Sequence, residues 1–146
     1  MKELKNSICV FCGSSYGKKK EYMEITQKLG KYIVKNGFRL VYGGGNQGLM
    51  GLLEKSVKKN NGETLGVIPK ILLNEKEKYI NKTNQFIVND MHSRKMKMFN
   101  ESNVIVVLPG GIDTLDEFFE ILTWAQLKIH KKKIIILNYE SFWNPL

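Results

Sequence analysis

Long apolar runs are missing from this 146-residue chain. None approaches the ~20 residues that a helix needs to cross a membrane, which excludes a helical span, and the apolar stretch near the N-terminus is too short for a secretory signal. A cytoplasmic location is therefore expected, with no membrane partner. Cysteine is scarce, occurring only as Cys9 and Cys12. Their C-x-x-C spacing suggests a redox pair, but such a pair needs a helix N-terminus to stabilise its thiolate. Residues 7–12 read instead as a strand, on which positions three apart face opposite sides. Histidine also occurs twice, as His92 and His130, too far from the cysteines to make a zinc set, so no metal site is expected. His130, in the lysine-rich stretch 128–133, reads as a solvated loop residue. Arginine is nearly absent, with only Arg39 and Arg94. The net charge of +9 thus comes almost wholly from dispersed lysines. Nucleic-acid binding would want arginine and aromatics interleaved with the basic residues; these lysines read as solvated faces that exert a general pull on anionic ligands.

What the chain does have is alternation. Its length suits one domain spanning residues 1–146, long enough to bury roughly 70% of its unfolded surface. Residues 7–12 are short and apolar, like a buried parallel strand. Residues 18–37 place Tyr22, Ile25, Leu29 and Ile33 at helical spacing, with Gly37 as a stop. Strand patterns recur at 38–42, 63–69, 85–89, 103–109 and 133–138. Helical patterns recur at 48–62, where Gly62 reads as the terminator, at 93–101 and at 114–127. Residues 70–82 are polar and irregular. Strand and helix alternate throughout, so the fold class is α/β, a doubly wound, mostly parallel sheet with helices on both faces. Ligands in such sheets sit at the carboxyl ends of strands, which directs attention to the small-residue loops at 13–15, 43–48 and 109–114.

Gly43-Gly44-Gly45-Asn46-Gln47-Gly48 matches G-x-G-x-x-G between a strand and a helix. The dinucleotide version expects an acid about 20 residues on, where this chain has Gly66-Val67-Ile68-Pro69. The glycines therefore serve either a close backbone approach to a ligand or close helix–strand packing. Pro109-Gly110-Gly111-Ile112-Asp113-Thr114 differs: two glycines able to adopt positive φ and a following helix offer successive N–H groups to an anion. Yet the same loop leads into three acids, Asp113, Asp116 and Glu117. Thr114-x-x-Glu117 also reads as a capping box, so Glu117 is either a cap or a chemical group. Arg94 and Lys95 open another helix. Arg94 presents either a planar fork for a phosphate or base or one half of an exposed basic pair that the helix dipole disfavours.

The stretches VFCGSS, LVYGGGNQGLMG, GVIPK, MHSRK, PGGIDTLDE and LTWAQL, in this order, resemble the LOG ("lonely guy") family of cytokinin riboside 5′-monophosphate phosphoribohydrolases, often labelled lysine decarboxylases. The resemblance covers essentially the whole chain. It implies a Rossmann-like fold and hydrolysis of the N-glycosidic bond of an N6-modified adenosine 5′-monophosphate, or of AMP, to free base and ribose 5-phosphate. It implies no nicotinamide or metal cofactor, and a homodimer or larger homo-oligomer. Carried over by position, Arg94 and Glu117 match the catalytic pair. Lys95 and the loop Gly110, Gly111, Ile112, Asp113, Thr114, Leu115 and Asp116 match substrate-binding segments, and Thr123 a further binding threonine. A binding glutamate after the GVIPK stretch falls on Glu75 or Glu77. Ser14, Gly44 and Gly45 match loops on the phosphate side. In this reading Glu117 stabilises an oxocarbenium-like state and Arg94 positions the substrate and offsets charge.

Two features depart from the family pattern. Asp113 stands where the family loop has a third glycine. Its charge opposes a bound phosphate unless the side chain turns away and caps the Asp116 amide. The chain also stops at Ser141-Phe142-Trp143-Asn144-Pro145-Leu146, where family members continue with a helix, which would leave Phe142 and Trp143 in need of cover. Both departures motivate an alternative, a nucleotide-binding module with little or no catalysis. A decarboxylase would need a lysine in a pyridoxal setting, and no stretch of the sequence specifies one.

Overall fold

Six parallel strands in the order β4-β3-β2-β1-β5-β6 form the sheet of the computed structural model, which describes residues 5–74 and 84–146. The strands are β1 (Ser7–Phe11), β2 (Arg39–Tyr42), β3 (Thr64–Pro69), β4 (Gln85–Val88), β5 (Val104–Val107) and β6 (Lys133–Ile136). The helices are α1 (Lys20–Lys35), α2 (Gly48–Lys59), α3 (Met91–Asn100) and α4 (Ile112–Gln126). The expected α/β class and alternation hold. Short 3-10 turns at Lys70–Leu72 and Tyr139–Ser141 were not foreseen.

The period of two along each strand builds two cores. Ile8, Val10, Leu40, Tyr42, Val106 and Leu108 face one side, with α1 and α2. Cys9, Phe11, Val41, Ile105 and Val107 face the other, with Met98 and Phe99 of α3 and Phe118 and Ile121 of α4. Cys9 and Cys12 fall in different clusters, as strand geometry requires, and burial pushes both thiols up.

The chain steps outward from β1 to β4, then returns to the far side of β1 for β5. Parallel crossovers keep one hand, so this reversal moves the connecting helices to the other face. It also makes the ends of β1 and β5 the switch point, the place where ligands bind in such sheets.

Helix ends follow the Schellman pattern. At Gly37 (φ 75) the amide donates to Val34 O and that of Phe38 to Ile33 O, both at 3.0 Å. At the end of α2 the left-handed residue is Asn61 (φ 62), not Gly62. The Gly62 amide instead closes the motif on Val57 O at 2.9 Å, and a side chain there would meet Val34 and Val57. Phe142 and Trp143 do not stand in search of cover. Phe142 packs edge-on against Tyr22 and Trp143, with centroids 5.6 and 4.7 Å away, and both are half-buried.

The glycines of the 43–48 loop serve packing. Gly44 (φ 78) backs onto Ile68, and Gly48 (φ 60) lies against the loop after β1. A Cβ on Gly48 would stand 2.2 Å from the Ser14 carbonyl carbon, with backbone on both sides of the clash. Gly48→Ala is expected to destabilise the fold by about 2 kcal/mol or more, read as a fall in urea midpoint; an unchanged midpoint would refute this packing role.

Candidate active site

Two helices begin at the carboxyl edge of the sheet after glycine-rich loops, and their first turns have different fates. A helix leaves its first N–H groups without intrahelical partners. In α2 the loop after β1 takes them: Leu49 N–H donates to Ser15 O and Met50 N–H to Gly13 O, both at 3.3 Å. In α4 the cap is Gly111, which brings no side-chain acceptor. The first intrahelical bond there runs from Leu115 N–H to Gly111 O at 3.1 Å, leaving the N–H groups of Ile112, Asp113 and Thr114 without partners among the described residues. The candidate anion cradle is thus the start of α4, where the dipole of that 15-residue helix points its positive end.

Neither Gly110 nor Gly111 has positive φ, contrary to the sequence expectation. Their value is the missing Cβ. On Gly110 it would lie 2.1 Å from Thr114 Oγ1 and 3.0 Å from Gly13 N. Gly13 N–H donates to Pro109 O at 3.1 Å, so the loops after β1 and β5 are tied across the switch point. Beside them lies a cleft of about 580 Å³ whose lining includes Gly13, Lys18, Lys19, Tyr22, Gly110 and Phe142, within the size range of small-molecule sites. Thr114 is fully buried and its hydroxyl has no hydrogen-bond partner among the described residues.

The capping box does not form. Thr114 lies inside α4, which starts two residues before the expected Thr114. Glu117 turns inward instead and is 8% exposed. Arg94, buried rather than half of an exposed pair, donates from Nη2 to Glu117 Oε1 at 2.9 Å. Burial is the largest influence on Glu117 and raises its pKa to about 7. The Arg94 charge pulls it back, while Asp113 and Asp116 push it further up. Arg94 Nε is buried with no partner among the described residues, and its Nη1 lies 3.3 Å from where a Gly43 Cβ would stand. Gly43 therefore lets the guanidinium sit over the end of β2.

The remaining expected residues divide into two groups. Lys95 leaves α3 in another direction and bonds Asp116 at 3.2 Å and Glu120. Asp113 is exposed and does not cap the Asp116 amide; it makes no hydrogen bond among the described residues. Ile112 is strongly exposed and Leu115 half-buried. Thr123 lies two turns beyond Glu117, its hydroxyl bonded to Phe119 O at 2.7 Å, apart from the cradle. Ser14 is exposed beside Gly13. The Gly45 amide is spent on Met50 Sδ at 3.1 Å, and Gly44 faces β3. Glu75 and Glu77 lie outside the described residues. Sequence reasoning missed Glu120, which accepts from Lys95 and has His92 3.9 Å away; its position four residues after Asp116 was the available signal. It also misjudged His130. That ring is half-buried against Phe99 (4.7 Å), donates from Nε2 to Ile121 O at 3.0 Å and accepts the Lys132 amide at Nδ1.

An all-parallel switch-point crevice with an open helix start beside a buried acid–guanidinium pair defines a Rossmann-like α/β protein with a candidate site for an anionic small molecule. A family model described as "Possible lysine decarboxylase" matches residues 50–146. The chain belongs to that family, and the curated relatives it resembles are LOG proteins. A probable cytokinin riboside 5′-monophosphate phosphoribohydrolase of Oryza sativa subsp. japonica is 45% identical over 139 residues, 95% of this chain and 57% of the relative. A cytokinin riboside 5′-monophosphate phosphoribohydrolase of Arabidopsis thaliana is also 45% identical over 95% of this chain, and 64% of its own length. The chain thus spans less than two thirds of these relatives. A molybdenum cofactor (Moco) carrier protein from Chlamydomonas reinhardtii superposes with a TM-score of 0.70 at 24% identity, over 91% of this chain and 76% of its own, a likeness of fold. Among the described residues no helix is long and apolar enough to cross a membrane.

The raised pKa of Glu117 makes a stability prediction. The folded state holds a proton that the unfolded glutamate releases near pH 4.5, so this stability is fully present below that pH and is lost as pH rises through about 7. Glu117→Gln removes the dependence. Its unfolding free energy is expected to gain on the wild type between pH 5 and 8, by at most about 3 kcal/mol. Parallel pH-dependent curves for the two proteins would contradict the assignment.

Proposed function

We propose that the chain hydrolyses the N-glycosidic bond of an adenosine 5′-monophosphate, N6-substituted or not, to free base and ribose 5-phosphate. The observation that carries this reading is the buried Arg94–Glu117 pair set beside the open start of α4. The 5′-phosphate takes the N–H groups of Ile112, Asp113 and Thr114 and the spare Thr114 hydroxyl. Glu117 lies six residues past the Gly111 cap, ~9 Å along the helix axis, which leaves room for a ribose. As the base departs, positive charge grows on the ribose ring, and a desolvated carboxylate stabilises that charge more than it stabilises the neutral ground state. Arg94 holds Glu117 in place and has a free Nε–H for the substrate. The names of relatives at 45% identity support the same chemistry.

The carboxylate form of Glu117 is the one that stabilises a cation. With a pKa of about 7, kcat/KM for base release is expected to climb from pH 5 through 7 and level off above. Glu117→Gln is expected to lower base release from AMP or isopentenyl-AMP roughly a thousandfold. Product chromatography reads both. Tight AMP binding without base release at any pH would replace this reading with that of a nucleotide-binding module.

The same proposal includes action in the cytoplasm and a homodimer. Met91 of α3 and Phe119 and Leu122 of α4 are each more than 40% exposed on the helices that carry the pair, the kind of apolar surface that a partner covers. Light scattering is expected to give twice the chain mass for the wild type and the monomer mass for Phe119→Lys. A monomeric wild type would end the dimer proposal.

A further inference from the structure

The acids around the cradle are not equivalent. Glu117 is paired with Arg94, Asp116 with Lys95 and Glu120 with Lys95. Asp113 has no ion pair and no hydrogen bond among the described residues. It is the second residue of α4, and its Oδ1 lies 3.6 Å from where a Gly111 Cβ would stand. The carboxylate is therefore folded back over the loop that precedes the helix. Its charge is felt on the crevice side as well, by Glu117 and by Cys12 at the end of β1. Arg94 and Lys95, the cations nearest the pair, are already committed to carboxylates. Among the described residues two buried polar atoms lack partners, the Thr114 hydroxyl against Gly110 in the first turn of α4 and Arg94 Nε in the guanidinium that sits by Gly43; the Thr114 hydroxyl is the one that points to an oxygen-bearing ligand at the start of α4.

An unpaired carboxylate in such a cradle treats two ligands differently. The oxygens of a phosphate dianion only accept hydrogen bonds, so they meet Asp113 as like charge. A ribose 5′-hydroxyl carries no charge and can donate its proton to the same carboxylate. Resting on the nucleotide-hydrolysis reading above, we propose that Asp113 is a specificity-determining residue for the group on the ribose 5′ carbon, weakening the hold on the phosphate and narrowing the preference for nucleotide over nucleoside.

The test is binding, so it stands apart from turnover. Calorimetry on the full chain compares AMP with adenosine for wild type, Asp113→Asn and Asp113→Gly. Asparagine keeps the shape, removes the charge and supplies an N–H donor. AMP affinity is expected to rise about tenfold in both variants, the scale of one charge–charge contact at a partly solvated site. Adenosine affinity is expected to hold or fall. Equal shifts for both ligands, no shift for AMP, or no measurable AMP binding by any of the three proteins would overturn the proposal. Absence of base release with the AMP-selective shift intact would instead overturn the hydrolase reading alone.

Discussion

The contact on which the site depends is the ion pair between Arg94 and Glu117. Both side chains are almost completely removed from water, and neither is tolerable there alone, since an unpaired buried charge is strongly destabilising. The pair therefore requires α3 and α4 to lie side by side, and the topology meets that requirement. Because the chain returns across the sheet from β4 to β5, α3 and α4 pack on the same face, opposite α1 and α2. Well-packed apolar residues in the place of such a pair are often as stable or more so. Stability alone does not explain the charges, and the unused Nε of Arg94 and the raised pKa of Glu117 are what a chemical role would leave behind.

Glycine works in this protein mainly by absence. Gly110, Gly13 and Gly43 let the loops after β5, β1 and β2 close on one another and on the Arg94 guanidinium. Gly48 seats α2 on the loop after β1. That seating separates the two helices: the Leu49 and Met50 amides of α2 are taken by Ser15 and Gly13, while the first amides of α4 have no partner among the described residues. Two loops of similar composition thus differ: one seats its helix on a neighbouring loop, the other leads into a helix start left open among the described residues.

Much of the architecture was legible in the sequence because each period reports a local constraint that tertiary packing then reuses. Short, near-continuous apolar runs at 7–12 and 103–109 specify strands buried on both faces, and the helical stripe of 18–37 specifies one covered face. The site was legible as a set of residues and illegible as an arrangement. Thr114 and Glu117 have the spacing of a capping box, and local rules assign them to each other. The buried Arg94, 23 residues away in sequence, competes for Glu117 and wins, because a charge without a partner in the core costs more than a missing cap contributes. For Arg94 the sequence leaves a ligand-facing fork and an exposed basic pair both open, because its acid lies on another helix. His130 was misplaced for the same reason, since its partners Ile121 O and Phe99 are remote in sequence.

The charge map has a pattern that matches a substrate with two unlike ends. The chain carries +9 overall, which draws anions from a distance. Around the buried pair, however, Arg94 and Lys95 face four carboxylates, Asp113, Asp116, Glu117 and Glu120. Under the proposal above, attraction for a phosphate at short range comes from backbone amides and the α4 dipole, which are fixed in direction and act over one helical turn, with Lys18 and Lys19 beside the cleft. The surplus of acids acts on whatever lies beyond that turn. On the proposed reading this is the ribose, neutral in the ground state and cationic as the base leaves. Long-range steering by lysines, short-range capture by amides and stabilisation of developing positive charge by carboxylates are compatible because each acts over a different distance.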